Sequence, residues 1–158
     1  MPQCLRKLID AGCDLNQPGQ LGHTPLFLAV THADDREKKR SARAKSLLIS
    51  LLEAGADPNQ AFLDRGCFIP RGSTPLLCAA SLRHPHNAKE ACRVLLEGRA
   101  AVSTPSPEGW TALEVACSKH SSDPSLMRLL VSAQADLEAP NRAGVSPLLG
   151  AIRAHLFK

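Results

Sequence analysis

No tyrosine and a single tryptophan occur among the 158 residues, and aromatic residues make up only 3% of the chain. Ligand pockets are walled largely by apolar and aromatic side chains, so there is little here from which to build one. No stretch approaches the ~20 apolar residues that a bilayer-spanning helix needs, and Met1-Pro2-Gln3 begins no secretory signal. The six cysteines (4, 13, 67, 78, 92 and 117) form no Cys-x-x-Cys pair. Their spacings fit neither a zinc site nor a disulfide framework, so an intracellular, cytoplasmic setting is expected, with the nucleus also open. Gly-rich phosphate loops, Gly-x-Ser-x-Gly and His-Glu-x-x-His are all missing. No enzyme activity, cofactor or metal is therefore expected.

What is present is repetition. Thr24-Pro25-Leu26 returns as Thr74-Pro75-Leu76, Thr111-Ala112-Leu113 and Ser146-Pro147-Leu148, each two residues after a glycine (22, 72, 109, 144). Glycine opens the backbone, threonine suits a helix N-cap, and proline suits the first helical position. A second phrase, Leu51-Leu52-Glu53-Ala54-Gly55-Ala56-Asp57-Pro58-Asn59, is echoed by Leu8-Ile9-Asp10-Ala11-Gly12-Cys13-Asp14-Leu15-Asn16. It reads as a helix ending on a left-handed glycine, followed by a tight turn. Arg99 and Gln134 stand in the slots of Gly12 and Gly55, where a side chain carries a left-handed backbone cost of about 1 kcal/mol.

Together the phrases resemble the ankyrin repeat, over nearly the whole chain. The resemblance implies an all-α solenoid of helix-turn-helix units with projecting loop or β-hairpin fingers, spanning 1–158 as a single array. The units are a partial 1–20, then 21–60, 61–106 and 107–141, and a partial 142–158. The ends show no polar cap, so a piece of a longer array, or a monomer with divergent caps, is expected. The family's histidine after the Thr-Pro-Leu phrase is replaced by Phe27, Leu77, Glu114 and Leu149, which implies a less rigid array.

The repeat also serves as a ruler. Its capping residues are spaced 50, 37 and 35 apart, against a family period of about 33. The first helix pair holds about ten extra residues, and one inter-repeat finger holds about seven. The first insertion carries Arg36, Lys38, Lys39, Arg40, Arg43 and Lys45, six bases with one acid, while the rest of the chain has 13 bases and 14 acids. Without proline or glycine, it should extend the second helix backwards. It is a solvated face or a surface for an acidic partner or nucleic acid. No aromatic residue interleaves with its bases, which argues against single-stranded nucleic acid.

The long finger, 60–72, carries Phe62, Leu63, Phe68, Ile69 and Arg71. An apolar projecting loop either folds back on the array or is offered to a partner. Trp110 lies in the slot between turn glycine and capping residue, which His23, Ser73 and Val145 share in the other units. The resemblance places these slots and fingers on the concave face, where the family binds proteins. A protein-binding scaffold or adaptor with a protein partner is the expected function. Cys78, Cys92 and Cys117 fall at core slots, and His84-Pro85-His86 reads as a turn, since no cysteine or carboxylate completes a ligand set nearby.

Overall fold

The computed structural model describes residues 3–34, 38–62, 72–120 and 123–156, apart from the Lys38 side chain. Among the described residues eight helices follow one another: α1 (Gln3–Asp10), α2 (Pro25–His32), α3 (Lys38–Glu53), α4 (Pro75–Ala80), α5 (Pro85–Glu97), α6 (Ala112–Lys119), α7 (Ser125–Ser132) and α8 (Pro147–Leu156). There is no β-strand among the described residues, and the described parts of the fingers are turns rather than β-hairpins.

The recurring phrase starts every first helix in the same way. The Thr24 hydroxyl accepts the Phe27 N–H (3.2 Å), Thr74 that of Leu77 (3.4 Å), Thr111 that of Glu114 (3.3 Å), and Ser146 that of Leu149 (3.4 Å). Each bond satisfies a backbone donor that the helix cannot pair internally. Helix α2 then packs on α3, α4 on α5, and α6 on α7. The first helices form one row, α2–α4–α6–α8, and α3–α5–α7 form the other.

Small side chains let the first row close up. Ala29, Ala79, Ala80 and Ala116 are all almost fully buried, and Leu26, Leu76 and Leu77 fill the space between helices. From the second row come Leu48, Leu51, Leu95, Leu126 and Leu130. Cys78, Cys92 and Cys117 are buried among them, as their slots suggest, and burial pushes the Cys92 and Cys117 thiols up. The slots that lack the family's histidine are filled by Phe27, Leu77 and Glu114, all buried, while Leu149 is exposed.

A second ladder ties the units together through the turns that follow the second helices. The Asp57 N–H donates to Asn16 Oδ1 (2.8 Å), the Ala101 N–H to Asn59 Oδ1 (2.7 Å), and the Asp136 N–H to Ser103 Oγ (3.0 Å). Each unit's turn thus supplies the acceptor for the next unit's backbone. At the other end of the helices, buried His120 donates from Nε2 to the Ala80 carbonyl (3.0 Å), and Lys119 Nζ to that of Ser81 (3.2 Å).

Candidate partner-binding surface

Every finger is closed by the same pair of backbone bonds. Gly19 N–H donates to His23 O and Gly22 N–H to Gly19 O; Ser106 and Gly109 repeat this with Trp110 O and Ser106 O, and Asn141 and Gly144 with Val145 O and Asn141 O. In the second full unit Phe62 N–H donates to Ser73 O (3.2 Å) and Gly72 N–H to Phe62 O (2.8 Å). The seven extra residues therefore lie between two ends pinned to each other.

Neighbouring fingers touch. The Arg142 N–H donates to Glu108 O (3.1 Å). Gly109, at φ +87°, leaves room for that approach, since a Cβ there would lie 2.9 Å from the Arg142 nitrogen. Glycine is required twice over at this position, by its dihedral and by its neighbour.

Two of the residues expected to meet a partner belong instead to the interior. Phe62 has no exposed surface; its ring stacks on Phe27 at 4.2 Å between centroids and 28°, and Phe27 in turn meets His23 at 4.9 Å. Ser73 is likewise fully buried. The finger's closing bonds fix Phe62 at its root, where the ring meets Phe27 of α2. The first two units are thus joined by an aromatic stack, and neither Phe62 nor Ser73 has surface to offer. His23 and Trp110 are half-buried, with Trp110 packed partly on the core. Near His23, Leu21 and Leu28 are exposed. Leu63, Phe68, Ile69 and Arg71 lie outside the described residues.

The basic insertion enters α3, at 16 residues the longest helix among the described residues, as its composition suggests. Lys39, Arg40 and Arg43 are exposed; Arg36 and the Lys38 side chain lie outside the described residues. Lys45 has a different role. It pairs with Glu90 of α5, which also binds Arg93 (3.0 Å), and Arg93 reaches Glu97 (2.6 Å). The Arg93 and Lys45 hydrogen bonds hold the Glu90 carboxyl down at about 2. Ser41 Oγ donates to Ala33 O (3.1 Å) and is also 3.3 Å from Asn87 Oδ1, while the Asp34 carboxylate accepts the backbone N–H groups of Arg83 and His84 (both 3.1 Å). These contacts border a groove of about 590 Å³ lined by Ser41, Lys45, His84, His86 and Glu90. No group of three His, Cys, Asp or Glu side chains suited to a metal occurs among the described residues.

Sequence reasoning missed one group. Glu114, in the slot after Thr-Ala-Leu, is fully buried, and the Asn141 amide donates to its Oε1 (2.6 Å). Its carboxyl stands at about 7, raised by burial against the lowering effects of Asn141 and the Thr111 backbone. The signal was visible as an acid in a slot that is otherwise apolar.

Comparisons with known proteins agree with this geometry. The family described as Ankyrin repeats (3 copies) matches residues 39–141, more than half of the chain. Ankyrin repeat domain-containing protein 63 from Mus musculus is 39% identical over 92 residues, covering 56% of this chain and 23% of that protein. Its Homo sapiens counterpart is also 39% identical over 92 residues, 24% of its length. Human neurogenic locus notch homolog protein 4 is 34% identical over 137 residues, 85% of this chain but 6% of that protein. The chain thus spans less than a quarter of the relatives it matches. Four identically capped first helices, identically closed fingers and the family match over 39–141 lead to one conclusion: the chain belongs to the ankyrin-repeat family.

Proposed function

We propose that this array is an intracellular scaffold or adaptor that holds a protein partner along its finger-bearing side. Ankyrin repeats are generally protein–protein interaction modules, and stacked units offer an extended surface. The observation that carries the reading is the row of closed fingers with half-buried His23 and Trp110 in equivalent slots. A tryptophan partly seated on a core and partly open is the kind of residue that dominates interface energetics. Exposed Leu21 and Leu28 extend the apolar surface at the first finger. Phe62 contributes by anchoring the root of finger 60–72, from which Phe68 and Ile69 would meet the partner.

Affinity capture with the wild-type chain, a Trp110→Ala/Phe68→Ala variant and a Lys39→Ala/Arg43→Ala variant tests this. Loss of the captured protein with the first variant, but not the second, is expected. Equal recovery by the wild type and the first variant would sink the finger-side reading.

The second reading places an acidic partner or nucleic acid on α3. It draws on exposed Lys39, Arg40 and Arg43, with no acid in α3 before Glu53. It is weakened by Lys45, which is committed to Glu90. Salt-dependent retention on a polyanion resin that drops in the Lys39/Arg43 variant would favour it.

A further inference from the structure

Glu114 occupies a slot filled elsewhere by Phe27, Leu77 and Leu149, and it has no exposed surface. It lies in the first turn of α6, which packs against α8. Gly150 of α8 lies directly over it: a Cβ at Gly150 would come within 3.8 Å of Glu114 Cγ. From the last finger, the Asn141 amide reaches Oε1 at 2.6 Å, and Asn141 Oδ1 in turn accepts the N–H groups of Ala143 and Val145. The same side chain is therefore bonded to the last finger through its carboxyl and lies beside α8 through its Cγ. Oε2 has no hydrogen-bond partner among the described residues.

A buried carboxylate oxygen without a partner is strongly unfavourable when ionised and tolerable when the group is neutral. We propose that Glu114 is a proton-operated latch: protonated, it lets α8 and the last finger pack on α6, and its ionisation loosens them.

Burial, the largest influence on this carboxyl, brings its midpoint to about 7, inside the physiological range. Its titratable neighbour on α6 is the buried Cys117 thiol, which is raised by burial and further by Glu114 itself. Farther along, Lys119 is exposed and His120 is engaged with Ala80. The elements packed on α6 bring Cys78 from α4, Arg128 from α7, and Arg153 and His155 from α8; the last three are exposed, as is Arg142 on the finger. The latch needs none of them. It requires only that the closed state bind the proton more tightly than the opened state, where the carboxyl returns to its ordinary range.

Amide hydrogen exchange on the full 158-residue chain tests this between pH 5 and 8, with each rate normalised to its unfolded reference. In the wild type, α8 protection should fall on the order of a hundredfold across that range, as a group moving from about 4.5 to about 7 on closure requires. Glu114→Gln and Glu114→Leu should both show pH-independent α8 protection; leucine is already used in this slot at 77 and 149. Helices α2–α5 should be unchanged in all three. A wild type that is flat across the range, α8 unprotected already at pH 5, variants that fall as the wild type does, or a loss shared equally by α2–α5 would each overturn the latch.

Discussion

Arg99 and Gln134 adopt φ of 66° and 64° in the slots where Gly12 and Gly55 sit at 78° and 94°. The sequence shows why they must: the turn that follows each second helix is the same, whatever residue holds its pivot. The neighbouring Gly98 does not take over the pivot, and has φ −78°. It is small for a different reason, since a Cβ there would meet Leu52 Cδ1 at 2.9 Å. Replacing Arg99 or Gln134 by glycine should relieve about 1 kcal/mol of left-handed strain. Each should raise the melting temperature by roughly 2–4 °C, given the size of the chain; calorimetry on the two single variants checks this. Phe62 is the opposite case. Its ring is fully buried against Phe27, so Phe62→Ala should cost about 3–5 kcal/mol in chemical denaturation. A loss below about 1 kcal/mol would mean that the stack does not hold the first two units together.

At the scale of elements, the helices were legible and their side contacts were not. The Thr-Pro-Leu phrase marks the starts of α2, α4 and α8 because capping and proline chemistry are local. At α7 a local bond also marks the start, since Asp123 Oδ1 accepts the N–H of Ser125 (2.9 Å), the first residue of the helix. The basic stretch was legible as helix, yet nothing local showed that Lys45 turns towards α5 while Lys39 and Arg43 face solvent. That division produces the Lys45–Glu90–Arg93–Glu97 chain of charges. Glu90 is held low, at about 2, so its contribution is present above its ordinary range and is lost as pH falls from about 4.5 towards 2. The pairs are partly exposed, with side-chain accessibilities of 26–61%, so solvent screening limits the gain to about 1 kcal/mol or less. Glu90→Gln should remove that much at pH 6 and clearly less at pH 2, where the folded carboxyl is about half protonated. A loss that persists undiminished at pH 2 would show that packing, not charge, is responsible.

In the whole molecule, stability is close to a sum of unit and neighbour terms, so its pH dependence reports individual interfaces. Glu114 acts in the opposite sense to Glu90. Its folded value, about 7, lies above the ordinary 4.5. Its favourable term is therefore complete below about 4.5 and is lost as pH rises to 7 and beyond. The span corresponds to about 3 kcal/mol. Urea titrations followed by amide exchange within α8 from pH 5 to 8 should show the wild-type stability of that helix declining by up to that amount, while Glu114→Gln stays level. Parallel curves for the two proteins would contradict this. The turn-to-turn ladder from Asn16, Asn59 and Ser103 should be insensitive to pH over the same range, since none of its acceptors titrates.

The sequence alone determined the repeat, the capped helices, the positive-φ pivots and the places where the spacing departs from the family period. Those features rest on interactions between residues a few positions apart, and local backbone chemistry decides them. The tertiary structure decided which departures face inwards. Phe62 became a core ring, Lys45 an interhelical tether and Glu114 a buried acid under α8, because each depends on what the adjacent unit, some 33 or more residues away, presents to it. The root of the long finger is held by the same ring that stacks across the first two full units.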